Sequence, residues 1–326
     1  MLRIAHRIAS AGANDLPVVH LVKQAIPLGM HVLVCDNVAE YVEAEAKHDC
    51  DLTIFPGVVP PWNWTLFEWA VPKAQAERWR TMPSSKPVEA QMMGMLTHSI
   101  PLTKHEDVRQ EDMTQCDAYK DGGELRAHIS VAHWRVTQMP MIVTNGILVG
   151  LRFASASWLD GDGNVIASKT LCEPDQLTPS EQASAAGISH AMLAVVMCAS
   201  SIANCKNVTT TDSTAEDAPP AKWQRRMKTP EIRYSRIKID GFTSEAKTQG
   251  GGIDGHNKAW HICRGNFATY TDAKPLFGKY TGRYWRPQHV KGDKKHGEVH
   301  STHEIARPKT QSPAPAAANS EQRKDA

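Results

Sequence analysis

Met141-Ile-Val-Thr-Asn-Gly-Ile-Leu-Val-Gly-Leu-Arg-Phe153 is apolar and rich in β-branched residues, the composition of a buried strand. Before it, Arg126–Thr137 alternates in the manner of a half-buried strand. After it, Trp158 and Val165 flank Asp160-Gly-Asp-Gly-Asn164, whose Gly and Asp residues supply the positive φ of a hairpin turn. Residues 126–171 therefore read as β. The turn resembles the start of a calcium loop, but Val165 stands where such a loop needs glycine. Leu171 stands where it needs a bidentate glutamate, so no calcium site is expected.

Toward the N-terminus the pattern becomes mixed. Pro17–Ile26 spaces Val18, Val19, Leu21, Val22 and Ile26 as a helix, stopped by Pro27 and Gly29. Asp36 caps a second helix through Val38, Tyr41, Val42 and Ala46. A proline corner, Pro56-Gly-Val-Val-Pro-Pro61, leads to Trp62, Trp64, Phe67 and Trp69, mostly two apart as on a strand, with Phe67 out of phase. Packing in a core is the plain reading of these rings, and a base-stacking platform the alternative. Toward the C-terminus, Thr178 or Ser180 caps a long helix through Ile188, Met192, Val195, Val196, Ala199 and Ile202, ended by Asn204-Cys-Lys-Asn-Val208. The uncharged run Gln182–Cys205 is long enough to span a bilayer. Ser184, Ser189, His190, Ser200, Ser201 and Asn204 make it a buried helix instead. Arg233–Asp240 and Trp260–Cys263 read as strands around the loop Gly250–Gly255, which lacks the Gly-Lys-Ser/Thr of a P-loop.

The expected fold class is α+β: a mixed α/β N-terminal part, a long central helix and a basic, mostly β C-terminal module. Its divisions are an acidic region over 1–208, a polar linker over 209–221, a basic aromatic-rich module over 222–307 and a disordered tail over 308–326. No secretory signal is read in Met1–Ser10, and seven scattered cysteines without a CxxC pair suit a reducing cytoplasm rather than a disulfide framework. His289, His296, His300 and His303 lack cysteine or paired-carboxylate partners at zinc spacing, and no Gly-x-Ser-x-Gly elbow marks a hydrolase. No metal, cofactor or membrane partner is expected.

Charge divides the chain sharply. The 326 residues carry a net charge of only +2, yet residues 1–221 hold 16 Lys+Arg against 25 Asp+Glu, giving −9. Residues 222–309 hold 19 against 8, giving +11, and the tail contributes zero. Cations at that density attract polyanions and displace their counterions, and interleaved aromatics suit single strands, where bases stack on rings. The competing expectation is internal: +11 docked on −9 within one chain. Arg225, Arg226, Lys279, Arg283, Trp285, Arg286 and Lys291 are the expected nucleic-acid contacts.

The densest cluster is Trp260-His-Ile-Cys-Arg-Gly-Asn-Phe-Ala-Thr-Tyr270, followed by Pro275-Leu-Phe-Gly-Lys-Tyr280 and Arg283-Tyr-Trp-Arg-Pro-Gln-His-Val-Lys-Gly292. It resembles a phage and prophage family of unknown activity with the pattern His-x-x-Arg-Gly-His-Phe-x-x-Tyr, Leu-Phe-Gly-Lys, and Tyr/Phe-Trp-x-x-x-His-Val-Arg/Lys-Gly. Cys205-Lys-Asn-Val208, Asp36-Asn-Val38, and Pro60-Pro61 with Phe67-Glu-Trp69 are similar to the same family, so the resemblance spans most of 30–300. Asn266 stands where the family has His, and Asn cannot replace a proton-transfer group. His261, Arg264, Tyr270 and His289 match the pattern. They suggest a second reading, a metal-independent RNase-like site in which His or Tyr moves a 2′-hydroxyl proton and Arg holds phosphorane charge. The bland alternative is that His261 and Arg264 brace the Gly265 turn. A third reading is a structural protein whose basic module packs on the acidic part.

Overall fold

In the computed structural model, strand β1 (His31–Val34) is the pivot of a nine-stranded mixed sheet. The residues described are 3–10, 17–46, 55–81, 90–116, 122–144, 146–150, 153–172, 192–239, 259–263, 266–286, 289–291 and 293–298. β1 runs parallel to β2 (Trp64–Ala70) on one side and to β9 (Arg233–Ile239) on the other. Val32, Leu33 and Val34 are all buried, as expected of a strand covered on both faces. Beyond β2 the sheet turns antiparallel through β3 (Ala90–Pro101), β4 (Trp134–Thr144), β6 (Phe153–Leu159) and β7 (Val165–Cys172). β5 (Ile147–Gly150) pairs with the end of β4, and β8 (Val208–Asp212) closes the far edge against β9. The fold is α+β.

Two apolar layers cover the sheet. Helices α1 (Ile4–Ser10) and α2 (Pro17–Ala25) pack Ile4, Ile8, Val19 and Val22 on Val32, Val34, Leu66 and Leu96. On the other face α3 (Asp36–Ala46) and a helix over 192–203, here α7, pack on Leu33, Phe67, Trp69, Met93 and Met95. The alternation of Leu66 with Phe67 and Trp69 explains the broken phase of the aromatic run: β2 needs apolar residues toward both layers. Gly94 on β3 lets α1 sit close, because a Cβ there would meet the Ile4 methyl at 2.8 Å. In α7, Met192 and every residue from Ala194 to Ile202 are buried, the mark of a helix enclosed on all sides. No described helix is long and apolar enough to cross a membrane.

Several expectations hold and several shift. α2, α3, β2, β9 and the 160–164 hairpin turn stand where the sequence puts them. Asp160 Oδ1 accepts the N–H groups of Asp162 (2.9 Å) and Asn164 (2.8 Å), so its carboxylate is spent on the turn. Arg126–Val131, expected as strand, belongs instead to helix α6 (Gly122–Val131), which buries Leu125 and Ile129 one turn apart. α6 and α5 (Glu106–Gln115) enclose a third cluster with Leu102 and Trp158. The run 141–153 is three strands' worth of chain, ending β4, forming β5 and opening β6. The cap expected at Thr178 or Ser180, the 250–255 loop and the tail over 308–326 lie outside the described residues.

The expected linker, 209–221, carries β8 and α8 (Thr214–Asp217), and β9 lies inside the main sheet, so the basic stretch does not begin a separate body there. One unit comprises 1–245 with 266–286, the other 246–265 with 287–326. In the second, β10 (Ala259–Cys263) lies between β13 (His289–Lys291) and β14 (Asp293–Glu298). In the first, β11 (Asn266–Tyr270) and β12 (Gly282–Arg286) form a two-stranded hairpin. Asn207 docks it: its side-chain amide donates to Trp285 O (2.7 Å) and accepts from Trp285 N–H (2.9 Å), while Lys206 N–H donates to Arg283 O (3.0 Å). The segment after α7 thus supplies the outer edge that β12 lacks.

Asn207→Ala leaves a buried N–H and a buried carbonyl unpaired, at about 1–3 kcal/mol each. Urea unfolding should show a loss of about 3 kcal/mol, and a loss under about 1 kcal/mol would contradict the docking role.

Candidate nucleic-acid interface

At the carboxyl ends of the three parallel strands sits a charge cluster for which the sequence gives little warning. Arg3 enters just ahead of α1. Its guanidinium meets Asp36 through two bonds (3.2 and 2.8 Å), Asp217 of α8 at 3.0 Å, and Glu68 of β2 at 3.7 Å. Asp36, read as a helix cap, also accepts the N–H of Ala70 at 2.8 Å. Arg236 of β9 completes the lattice with two bonds to Asp217 (2.8 and 2.6 Å). Burial would raise the Asp217 carboxyl, but the hydrogen bonds from Arg236 and the Arg3 charge hold it below the usual range. Glu68 behaves oppositely. It is fully buried, and burial pushes its carboxyl up to about 8 despite Arg3 and the N–H of Ala5 at 3.3 Å.

The cluster continues into a ring stack. His6 of α1 lies parallel to Tyr234 of β9 with centroids 5.5 Å apart, and its Nδ1 is 2.6 Å from the Tyr234 hydroxyl. Burial holds the imidazole down to about 4 and drives the phenol far above its usual value. Both are therefore neutral at pH 7, and a hydrogen bond joins the neutral ring to the neutral phenol. The edge of Trp223 meets the His6 ring at 6.0 Å. Trp223 belongs to α9 (Ala221–Met227), so this contact pins α9 to the body.

α9 presents charge outward. Lys222, Arg225 and Arg226 are exposed, as is Lys228, which ends the helix in the left-handed conformation. Residues 222–228 contain four cations and no carboxylate. None of the four has an acidic partner within ion-pair distance among the described residues. Arg225 and Arg226 also complement the carboxyl end of the helix dipole, a local benefit that leaves their guanidinium groups in water.

The other expected contacts fare differently. Lys279 is exposed in the hairpin loop. Arg286 is half-buried, its guanidinium 5.4 Å from the Tyr270 ring centre. Arg283 is half-buried against Gly57, where any side chain would collide with its guanidinium. Trp285 is a correction. It is 4% exposed, tilted on Phe267 at 4.7 Å and edge-on to Tyr41 at 5.5 Å, so its ring belongs to the core and offers no face to a base. Lys291 lies on β13, opposite His261 in register. Of the RNase-like quartet, His261 and His289 are on neighbouring strands of the second unit, two register positions apart. Tyr270 belongs to the first unit, and Arg264 lies outside the described residues.

Among the described residues no group of three or more His, Cys, Asp or Glu side chains is arranged to hold a metal; Arg3 occupies the space between Asp36, Glu68 and Asp217. The one sequence signal for the cluster is Glu68 itself, a charge inside the apolar strand Leu66-Phe-Glu-Trp69. Comparison of the chain with protein-family models, with curated proteins and with solved structures gave no match.

A carboxyl raised in the folded state holds a proton that the unfolded chain releases, so Glu68 lowers stability as pH rises from its usual 4.5 toward 8. Glu68→Gln keeps an acceptor for Ala5 N–H and cannot ionise. The wild-type Tm should fall by several degrees relative to Glu68→Gln between pH 5 and pH 8.5, and parallel melting curves across that range would contradict the assignment.

Proposed function

We propose that this is a phage- or prophage-type protein that binds nucleic acid without sequence specificity, preferring single strands or RNA. The observation that carries this is the outward, carboxylate-free charge of α9. If the basic stretch existed to dock on the acidic part, its cations would be consumed there. Arg236 is consumed in that way by Asp217, whereas Lys222, Arg225, Arg226 and Lys228 remain in water. Four exposed cations within seven residues form a short electrostatic track that matches phosphate charge and demands no base identity. The His6–Trp223 contact gives that track a rigid base, which reduces the ordering cost of binding. The similarity of the C-terminal pattern to the phage family supports the biological setting.

The double variant Arg225→Ala/Arg226→Ala removes two phosphate contacts from exposed positions. For a labelled single-stranded oligonucleotide, the slope of log K against log salt should flatten by about 1.4, at about 0.7 per contact. Affinity at low salt should fall about 10-fold. Wild-type binding and slope in the double variant would exclude α9 from the interface, and a wild-type chain that fails to bind at low salt would overturn the function.

A further inference from the structure

The fold divides the aromatic run 62–69. Phe67 and Trp69 lie in the core, whereas Trp62 and Trp64 are half-buried, each lying flat on a histidine. The Trp62 indole and the His31 imidazole are 4.3 Å apart with an interplanar angle of 4°. Trp64 and His98 are 3.8 Å apart at 5°. Both stacks stand where β1 and β2 begin, on opposite faces of the sheet: Trp62 packs with the α3–α7 layer and Trp64 with the α1–α2 layer. Backbone bonds fix this corner. Thr65 Oγ1 donates to Trp62 O (2.9 Å), and Ser99 N–H donates to Asn63 O (2.8 Å). His31 Nδ1 is buried without a hydrogen-bond partner, a cost to folding that packing alone gives no reason to keep.

An arginine stands near each imidazole, and the two differ. Arg135, near His98, is spent on Asp112 at 3.1 Å. Arg233, the register partner of His31 on β9, is exposed. It has no carboxylate within ion-pair distance among the described residues, and Asp212 feels its charge only from farther off. Burial, and then the Arg233 charge, hold the His31 imidazole below its usual value, so the ring is neutral at pH 7. Trp62, just ahead of β2, His31 on β1 and Arg233 on β9 therefore form a row of two stacked rings beside an exposed cation. Stacked rings beside a cation match an unpaired base and its phosphate, whereas a duplex keeps its base faces in its own stack. The chain leads to this row from the α9 track: Arg233 follows Lys228 by five positions, with one acid, Glu231, between them. We infer that the Trp62–His31 stack is a base-binding subsite, where an unpaired base extends the two rings and Arg233 takes its phosphate. This rests on the nucleic-acid reading of α9 and adds to it the group that separates a single strand from a duplex.

The test uses the full chain and a single-stranded RNA carrying 5-iodouracil, which couples on irradiation to a ring it stacks on. Mass spectrometry should place the crosslink on the peptide of Trp62 or that of His31, and crosslinks confined to other peptides would overturn the subsite. In Trp62→Leu, single-strand affinity should fall about 10-fold, the range that loss of one stacked base gives, while duplex affinity is unchanged. Trp62→Phe keeps a ring and should retain most of the binding. Arg233→Gln, at an exposed position, should flatten the salt slope by about 0.7, and a wild-type slope would overturn the phosphate contact. Unchanged single-strand affinity in Trp62→Leu, or an equal loss for single strand and duplex, would overturn the stacking role and leave the α9 reading intact. Failure of the wild-type chain to bind either probe would overturn both.

Discussion

The guanidinium of Arg3 is the interaction on which the rest of the first unit depends. It joins the chain preceding α1 to the first residue of α3, to the middle of β2 and to α8, four segments that are far apart in sequence. The Asp36 and Asp217 carboxylates would repel one another beside the buried, protonated Glu68. One delocalised cation with several donors meets all three at once, a geometry that lysine could not reproduce. Removing one member of such a buried set leaves the others uncompensated, at about 3–5 kcal/mol. The same lattice fixes α8, and through His6 and Trp223 it fixes α9.

The net charge of the chain acquires a meaning from this arrangement. The value of +2 is a cancellation of −9 by +11, but the structure does not place the two in separate bodies divided at 209–221. β9 takes part of the basic stretch into the central sheet, and the β11–β12 hairpin returns another part to the face lined by α7. Its aromatic residues divide by depth. Phe267, Tyr284 and Trp285 form the packing surface, while Phe277 and Tyr280 stand out at the loop. Its cations divide in the same way, Arg236 being paired internally and those of α9 remaining outside.

Elements with strong local patterning were legible in the sequence. α2 shows its helical stripe, α3 its acidic start, and the 160–164 turn its glycines. β1 was not legible because four residues are too few to display a period. β8 was hidden for a different reason. It is an edge strand whose last four side chains face water, so Thr209–Asp212 resembles a linker in composition. Arg126–Val131 misled because its short alternation masked the spacing of Leu125 and Ile129. Charge marked Arg225, Arg226 and Lys279, which the fold leaves exposed, whereas Trp285 was misassigned because composition cannot separate a core ring from an exposed one. The Arg3 cluster joins residues up to 214 positions apart and left only Glu68 as a trace.

The proposed binding of a polyanion through α9 and the β11–β12 loop is tested most directly by lysine protection. The protein is acetylated at low salt with and without a saturating single-stranded oligonucleotide, and each lysine is read by mass spectrometry. Lys222, Lys228, Lys274 and Lys279 should be protected, while the equally exposed Lys73 and Lys104 of the acidic part react as in the free protein. Uniform reactivity at all six, or protection confined to Lys73 and Lys104, would contradict it.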